Sequence, residues 1–160
     1  MTDVSITALE RKPRERERPP QMVPSPVADE PDLVTVDTTW GEIQPMEPAP
    51  GVRAIGEKEL LELVTQGVPL VDGRTGDSFT RATLPGAVSI PFDQAVDRRD
   101  ELDDSEQVVL FCNGPQCPQS PTAIRLLVDD GFPAERIRYY RGGMHDWVTL
   151  GFPTEAGSIL

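Results

Sequence analysis

The sequence predicts an α/β protein in which helices cover both faces of a central parallel sheet. Two observations predict this class. Short apolar, β-branched runs alternate along the chain with segments whose apolar residues recur at helical spacing. The strand-like runs are also apolar throughout, which is typical of strands buried on both faces. Strands of this kind pair in parallel, because the intervening helix carries the chain back across the sheet.

The first half of the folded region contains two predicted helices and two predicted strands. Residues 52–67, VRAIGEKELLELVTQG, have helical periodicity, and Gly67 is positioned to end the helix. Residues 68–71 form a short buried strand. Residues 76–86, GDSFTRATLPG, predict a short helix and a turn, and residues 87–92, AVSIPF, predict the next strand.

The second half contains the most strand-like segment, residues 108–112, VVLFC. The acidic stretch before it, residues 93–107, is predicted to be a surface loop or short helix. Ser120 is predicted to cap the next helix, with Pro121 at its first position. The sequence then predicts a strand in RIRYY, residues 136–140, and a helix in GGMHDWVTLGFP, residues 142–153, with Trp147 and Val148 facing inward.

The N-terminal third has a different composition. Nine of the 17 prolines fall in the first 50 residues, and residues 11–20 alternate opposite charges without an apolar stripe. We therefore predict a disordered leader over residues 1–34, an N-terminal arm over residues 35–50 and one folded domain over residues 51–157. Trp40 is a large aromatic residue in a polar stretch, and we expect it to anchor the arm onto the domain.

Charge and hydropathy exclude some function classes. The chain has 160 residues and a net charge of −12, and from residue 51 onward 10 basic residues face 17 acidic ones. This acidity argues against nucleic acid as a partner, since phosphate binding needs positive charge. The sequence has no apolar run near the roughly 20 residues that span a membrane and no secretory signal, so we expect a cytoplasmic protein.

Both cysteines of the chain, Cys112 and Cys117, fall in the loop between the predicted central strand and the next helix. Backbone N–H groups and the positive end of the helix dipole point into such a loop, which favours an anion. If the anion is a cysteine sulfur, its pKa falls and a thiolate nucleophile exists near neutral pH. We therefore predict a reactive thiol with Cys112 as the nucleophile, because it ends the strand.

Other interpretations of the cysteines stay open. A strand-terminal cysteine is often a small core residue, and a Cys112–Cys117 disulfide fits the spacing as a resolving step or a redox switch. A zinc site needs four ligands, whereas the chain offers two cysteines and one histidine, so we expect neither a metal nor a cofactor. His145, on the last predicted helix, is expected to have a surface or helix-face role.

Four segments together resemble the rhodanese-like (sulfurtransferase) family, over about residues 51–153. They are LVDGR, ATLPGAVSIPF, VVLFCNGPQC and YYRGGMHDWVTLGFP, and they occur in the family's order. The resemblance implies a single rhodanese fold and an enzyme that carries a sulfane sulfur as a cysteine persulfide. The donor would be thiosulfate, a polysulfide or a small-molecule or protein persulfide, and the acceptor a thiol or cyanide.

The site residues follow from the loop and the resemblance. Cys112 is similar in position to the family's catalytic cysteine, and Cys117 is the alternative carrier or the resolving thiol. The other expected residues are the substrate-binding Asn113, Gly114, Gln116 and Arg141, and the supporting pair Asp72 and Arg74. The loop, residues 113–121, has no basic side chain of the kind that grips a sulfonate in many relatives, so a non-catalytic sulfur-sensing, redox-sensing or interaction module is the alternative.

Overall fold

The computed structural model describes residues 21–38 and 40–158. In chain order the elements are β1 (Ser25–Val27), β2 (Glu30–Thr35), β3 (Arg53–Ala54), α1 (Glu57–Thr65), β4 (Leu70–Asp72), α2 (Gly76–Arg81), β5 (Val88–Ser89), β6 (Val108–Phe111), α3 (Gln119–Asp129), β7 (Ile137–Tyr140) and α4 (Gly143–Thr149). Strands β1 and β2 form a short antiparallel hairpin, and the other five form a parallel sheet in the order β3-β7-β6-β4-β5. Short 3-10 turns occur at Phe92–Gln94, Arg99–Glu101 and Ala134–Arg136. The predicted α/β class is confirmed.

The central strand β6 is buried on both faces, as its uninterrupted apolar sequence predicts. Alternate side chains point to opposite sides of the sheet, so Val108 and Leu110 pack into one core with helix α3. Val109 and Phe111 pack into a second core with helices α1 and α4. Strand β6 therefore ends between two helical layers, at the carboxyl edge of the sheet.

Two boundaries differ from the sequence predictions. The predicted helix over residues 52–67 begins only at Glu57, because Arg53 and Ala54 form the edge strand β3 beside β7. A two-residue strand has no periodicity of its own, and only its neighbour defines it. Ser120 is not the cap of α3, since that helix begins at Gln119 and Ser120 lies in its first turn.

The hairpin β1–β2 lies inside the segment predicted to be a disordered leader. That prediction is wrong for residues 25–35, which pair in antiparallel register around a turn at Asp29, a residue with positive φ. Backbone pairing rather than apolar burial defines this hairpin, since most of its residues are exposed, and composition therefore does not reveal it. Residues 1–20 lie outside the described part of the chain.

A buried ionic network closes the carboxyl end of β4. Asp72 accepts hydrogen bonds from the Arg74 guanidinium, with Nη2 at 2.8 Å, and from the Thr83 hydroxyl, also at 2.8 Å. All three residues are nearly inaccessible to solvent. Arg74 also donates to the carbonyl of Ala82, so the network joins β4 to the segment after α2. The attraction between Asp72 and Arg74, with their further hydrogen bonds, offsets the desolvation cost of burying both charges.

We predict that Asp72→Ala lowers the free energy of unfolding by about 3–5 kcal/mol, because it leaves the Arg74 charge buried without its partner. Urea denaturation measures this change. Glu59→Ala is the matched control, since it removes an exposed ion pair with Arg53 and is expected to cost at most about 1 kcal/mol. Equal losses in the two variants would contradict a structural role for the buried pair.

Candidate active site

The two cysteines lie in one tight loop at the carboxyl edge of the sheet. Cys112 follows directly on β6, and helix α3 begins two residues after Cys117. The amide of Cys117 donates to the carbonyl of Gly114 at 3.0 Å, which closes the turn between them. Both residues are free thiols, and each is only 1% exposed. The loop thus brings the two predicted sulfurs together in a buried position.

The Cys112 thiol is held by the first turn of α3. Its Sγ accepts the N–H of Ser120 at 3.3 Å and lies 3.5 Å from the carbonyl oxygen of Cys117. Burial raises the pKa of Cys112 well above its usual value, and hydrogen bonding and charge repulsion from Cys117 raise it further. The lowered pKa expected for a thiolate in this loop is therefore not found at Cys112, because burial outweighs the donors from Ser120.

The Cys117 thiol has the opposite shift. A hydrogen bond from Cys112 is the largest influence and, with donors from Gln119 and Asn113, lowers the pKa of Cys117 to about 7, although burial opposes the change. The Asn113 side-chain amide lies 3.9 Å from the Cys117 sulfur and donates to it. The Gln119 backbone N–H is a second donor, whereas the Gln119 side-chain oxygen, at 3.5 Å, accepts the S–H of the protonated thiol. A thiolate at Cys117 is thus stabilised at neutral pH by several donors.

The pKa values of the two thiols are linked and shift in opposite directions. Cys112, the thiol with the higher pKa, keeps its proton, and its sulfur lies 3.5 Å from the Cys117 carbonyl oxygen; repulsion between the two sulfurs opposes a second ionisation. Such a pair offers one nucleophile and one neutral thiol beside it. This arrangement can accept a sulfur atom on the thiolate, and the neighbouring thiol can then attack the loaded sulfur.

The Gly-Gly turn before α4 packs directly on the cysteine loop. The amides of Met144 and His145 donate to the carbonyls of Cys112 and Asn113, at 3.0 and 2.8 Å. Gly143 has a positive φ of 56°, and a Cβ atom there would lie 2.4 Å from the oxygen of Cys112. No side chain fits at this position, so the glycine allows α4 to hold the loop by its backbone.

The predicted substrate-binding residues have mixed positions. Asn113 borders Cys117 as expected, and Gly114 packs against the backbone of Gly142 and the side chain of His145. Gln116 and Arg141, by contrast, point to the N-terminal arm. The Gln116 side-chain amide binds backbone groups of Thr38, Trp40 and Gly41. Arg141 donates to the carbonyl of Gln44 at 2.9 Å. The arm, including Trp40, lies on the domain as the sequence predicts.

The supporting pair predicted from the sequence reaches the loop through one contact. The Arg74 guanidinium, bound to Asp72, also lies 3.4 Å from the side-chain oxygen of Asn113. This bond orients the Asn113 amide so that its NH2 group faces Cys117. Arg74 is thus paired and buried, and its role is to position Asn113.

Two residues near the sulfurs were not predicted. Gln119 and Ser120 supply N–H donors from the first turn of α3. N–H groups at the start of a helix point to the preceding residues, so the position of these two residues just after Cys117 is a sequence signal that could have identified them. His145 lies on helix α4, one of the two positions expected for it, but its side chain is largely buried. Its side chain is 15% exposed, its Nδ1 lies 2.9 Å from Asp146, and its buried Nε2 has no hydrogen-bond partner among the described residues.

Within residues 21–38 and 40–158, no three His, Cys, Asp or Glu side chains are grouped so that they could hold a metal ion. No helix in the same part of the chain has the length and apolar character that crossing a membrane requires.

Two curated relatives match part of the chain. An HTH-type transcriptional regulator of Mycobacterium tuberculosis is 34% identical over 106 residues, which are 66% of this chain and 46% of the relative. A Bacillus subtilis protein named as a candidate sulfur carrier is 26% identical over 82 residues, 51% of this chain and 42% of the relative. The chain therefore spans just under half the length of each.

Solved structures and a family comparison agree on the fold. The crystal structure of a thiosulfate sulfurtransferase from Pseudomonas aeruginosa has a TM-score of 0.55 at 22% identity, covering 67% of this chain and 21% of that one. At this identity the likeness shows the fold alone. Residues 57–150, which are more than half of the chain, match the Rhodanese-like domain. With the parallel sheet and the cysteine loop at its carboxyl edge, this match shows that the chain belongs to the rhodanese-like domain family.

Proposed function

We propose that the protein is a sulfurtransferase of the rhodanese type, with Cys117 as the sulfur carrier and Cys112 as its hydrogen-bond donor and resolving thiol. One observation carries the proposal: two buried thiols share a loop in which the pKa of Cys117 is lowered to about 7 while that of Cys112 is raised. This reverses the order of roles that the sequence favours. A structural core cysteine has no need of an ionised sulfur surrounded by donors.

The transfer balances as two displacements. The Cys117 thiolate attacks the terminal sulfur of a donor persulfide, R–S–SH, forming Cys117–S–SH and releasing R–S⁻. An acceptor thiolate then attacks the terminal sulfur of Cys117, leaves as a new persulfide and restores the Cys117 thiolate. Without an acceptor, Cys112–SH and Cys117–S–S⁻ yield the Cys112–Cys117 disulfide and HS⁻, with the proton of Cys112 leaving on the sulfide.

The surroundings of the loop favour persulfide or polysulfide donors over thiosulfate. A sulfonate needs a cation at the loop, and residues 113–121 carry none. The two arginines with contacts beside the loop are engaged, Arg74 with Asp72 and Arg141 with the backbone of the arm. The terminal sulfur of a persulfide needs only the N–H and S–H donors that already surround Cys117.

A test of the carrier is the gain of sulfur by single-cysteine variants. We predict that Cys112→Ser gains about 32 Da, one sulfur atom, on exposure to glutathione persulfide, because its thiolate at Cys117 remains. Cys117→Ser is predicted to gain none. Intact-mass spectrometry measures both.

The two variants are matched, since each replaces one buried thiol by a hydroxyl of similar size. Sulfur uptake by Cys117→Ser at the wild-type level, with none in Cys112→Ser, would assign the carrier role to Cys112. Uptake by neither variant would show that both thiols are needed. Uptake by no form of the protein, wild type included, would end the sulfurtransferase proposal.

The pH dependence of alkylation tests the shared proton. The thiolate is the reactive form, so a lowered pKa moves the rise in rate to lower pH, and the wild-type rate with iodoacetamide should be half-maximal near pH 7. Cys112→Ala removes the donating S–H, and its midpoint should rise toward about 8.5, the value of an ordinary cysteine. Cys112→Ser keeps a donor and should stay near the wild type. Identical midpoints in the alanine and serine variants would contradict the proposed hydrogen bond.

A thiol-based sensor of sulfur or redox state is the second candidate. The burial of both thiols favours it, as does the relative named as an HTH-type transcriptional regulator. Kinetics separates the two candidates. Steady turnover between a persulfide donor and a thiol acceptor supports the enzyme, whereas a single stoichiometric modification that ends in the disulfide supports the sensor.

A further inference from the structure

Neither sulfur of the cysteine loop is accessible in this structure. Cys112 and Cys117 are each 1% exposed, although their loop lies at the edge of the sheet where ligands of α/β folds bind. Any reaction with a second molecule needs contact between its reacting atom and a sulfur. Some part of the chain that covers the loop must therefore move before either thiol can react.

One cover of the loop is a segment of the N-terminal arm, residues 38 and 40–44, which we call the strap. Its backbone runs against Gln116 so closely that a Cβ atom on Gly41 would lie 2.7 Å from the Gln116 carbonyl oxygen. The indole of Trp40 packs over Gly114, with its nearest carbon 3.3 Å from where a Cβ of Gly114 would be. The strap thus lies directly on the loop that contains both cysteines.

A single side chain makes most of the hydrogen bonds between strap and loop. The Gln116 side-chain oxygen accepts the N–H groups of Trp40 at 2.7 Å and Gly41 at 3.2 Å. Its amide nitrogen donates to the carbonyl of Thr38 at 2.9 Å. Gln116 is itself buried, so its amide is satisfied by the strap when the strap is closed.

Two further bonds hold the far end of the strap. The Gln44 N–H donates to the carbonyl of Pro115 at 2.7 Å, and Arg141 donates to the carbonyl of Gln44 at 2.9 Å. Nearer the N-terminus, Met22 lies 3.3 Å from the same Asn113 amide that faces Cys117. The N-terminal region therefore contacts the four consecutive positions before Cys117. Met22 contacts Asn113, Trp40 packs over Gly114, and the rest of the strap binds Pro115 and Gln116.

The other elements around the loop are anchored far more strongly. Strand β6 and helices α3 and α4 contribute fully buried residues to the two cores, whereas the strap has no partner in the five-stranded sheet. The strap also precedes residues 57–150, the part that matches the family. Local opening occurs where few apolar contacts and a few hydrogen bonds hold a segment, so the strap is the cover that opens most readily.

We propose that the strap is a gate over the cysteine loop, latched by the Gln116 side chain, which must open before Cys112 or Cys117 can react. The inference concerns access to the site of the proposed function and holds for any chemistry of these thiols. Gln116 is then a gating residue rather than a ligand of the substrate.

The test is Gln116→Leu, which keeps the size of the side chain and removes all three latch bonds. We expect the alkylation rate of Cys117 by iodoacetamide to rise about tenfold, with faster hydrogen exchange of the peptide that contains residues 38–44. Rates are compared at the high-pH plateau, where a change in the thiolate fraction no longer contributes. Gln66→Leu, an exposed glutamine at the end of α1, is the control and should change neither quantity.

Each outcome decides the proposal. Faster hydrogen exchange with an unchanged alkylation rate would show that the strap opens without uncovering the thiols. Unchanged values of both quantities would show that Gln116 does not latch the strap. Either result overturns the proposal. If Gln116→Leu does not fold, Gln44→Pro decides by the same measurements, since it removes the N–H that binds Pro115 from outside the loop. Alkylation needs no sulfur donor, so this test of the gate can be interpreted even if the sulfurtransferase proposal fails.

Discussion

The linked protonation of the two buried thiols is the constraint on which the site depends. A thiolate buried in an apolar core would take up a proton, because burial penalises the charged form. The Cys112 thiol and the N–H groups at the start of α3 offset that penalty for Cys117. Cys112 in turn stays neutral because the neighbouring charge opposes its ionisation. Each cysteine therefore determines the protonation state of the other.

The fold provides this interaction by bringing three backbone segments to one point. Strand β6 delivers Cys112 at its end, helix α3 begins behind the loop, and the glycine turn before α4 closes it from the other face. Gly143 is essential to the third contact because a side chain there would collide with the carbonyl of Cys112. The buried pair of Asp72 and Arg74 completes the support, since Arg74 orients the amide of Asn113.

The N-terminal arm covers the cysteine loop, although the arm itself lies outside the residues that match the family. The family region, residues 57–150, contains four of the five strands of the parallel sheet and the cysteine loop, whereas the segment that lies over the loop precedes it. A thiolate that is always open to solvent is exposed to oxidation and to unwanted thiols. A covered thiolate has a lower rate of every such reaction, and the chemistry then depends on how often the cover opens.

Much of the fold was predictable from residues 51–157, because buried parallel strands are apolar along their whole length and helices repeat every three to four residues. The cysteine loop was predictable for the same reason, since the strand and helix that flank it are the clearest in the chain. The strand β3 and the hairpin β1–β2 were not, because pairing with a neighbour defines them rather than any local pattern.

The sequence by itself determined the α/β class, the family and the position of both thiols at the carboxyl end of the central strand. Only the tertiary structure decided which sulfur has the lower pKa and what lies over the loop. A pKa depends on burial and on donors from segments distant in sequence, and Gln116 meets the strap across more than 70 residues of chain. Neither the pKa difference nor the contact between Gln116 and the strap leaves a pattern in the local sequence, because both arise only when distant segments meet in the folded chain.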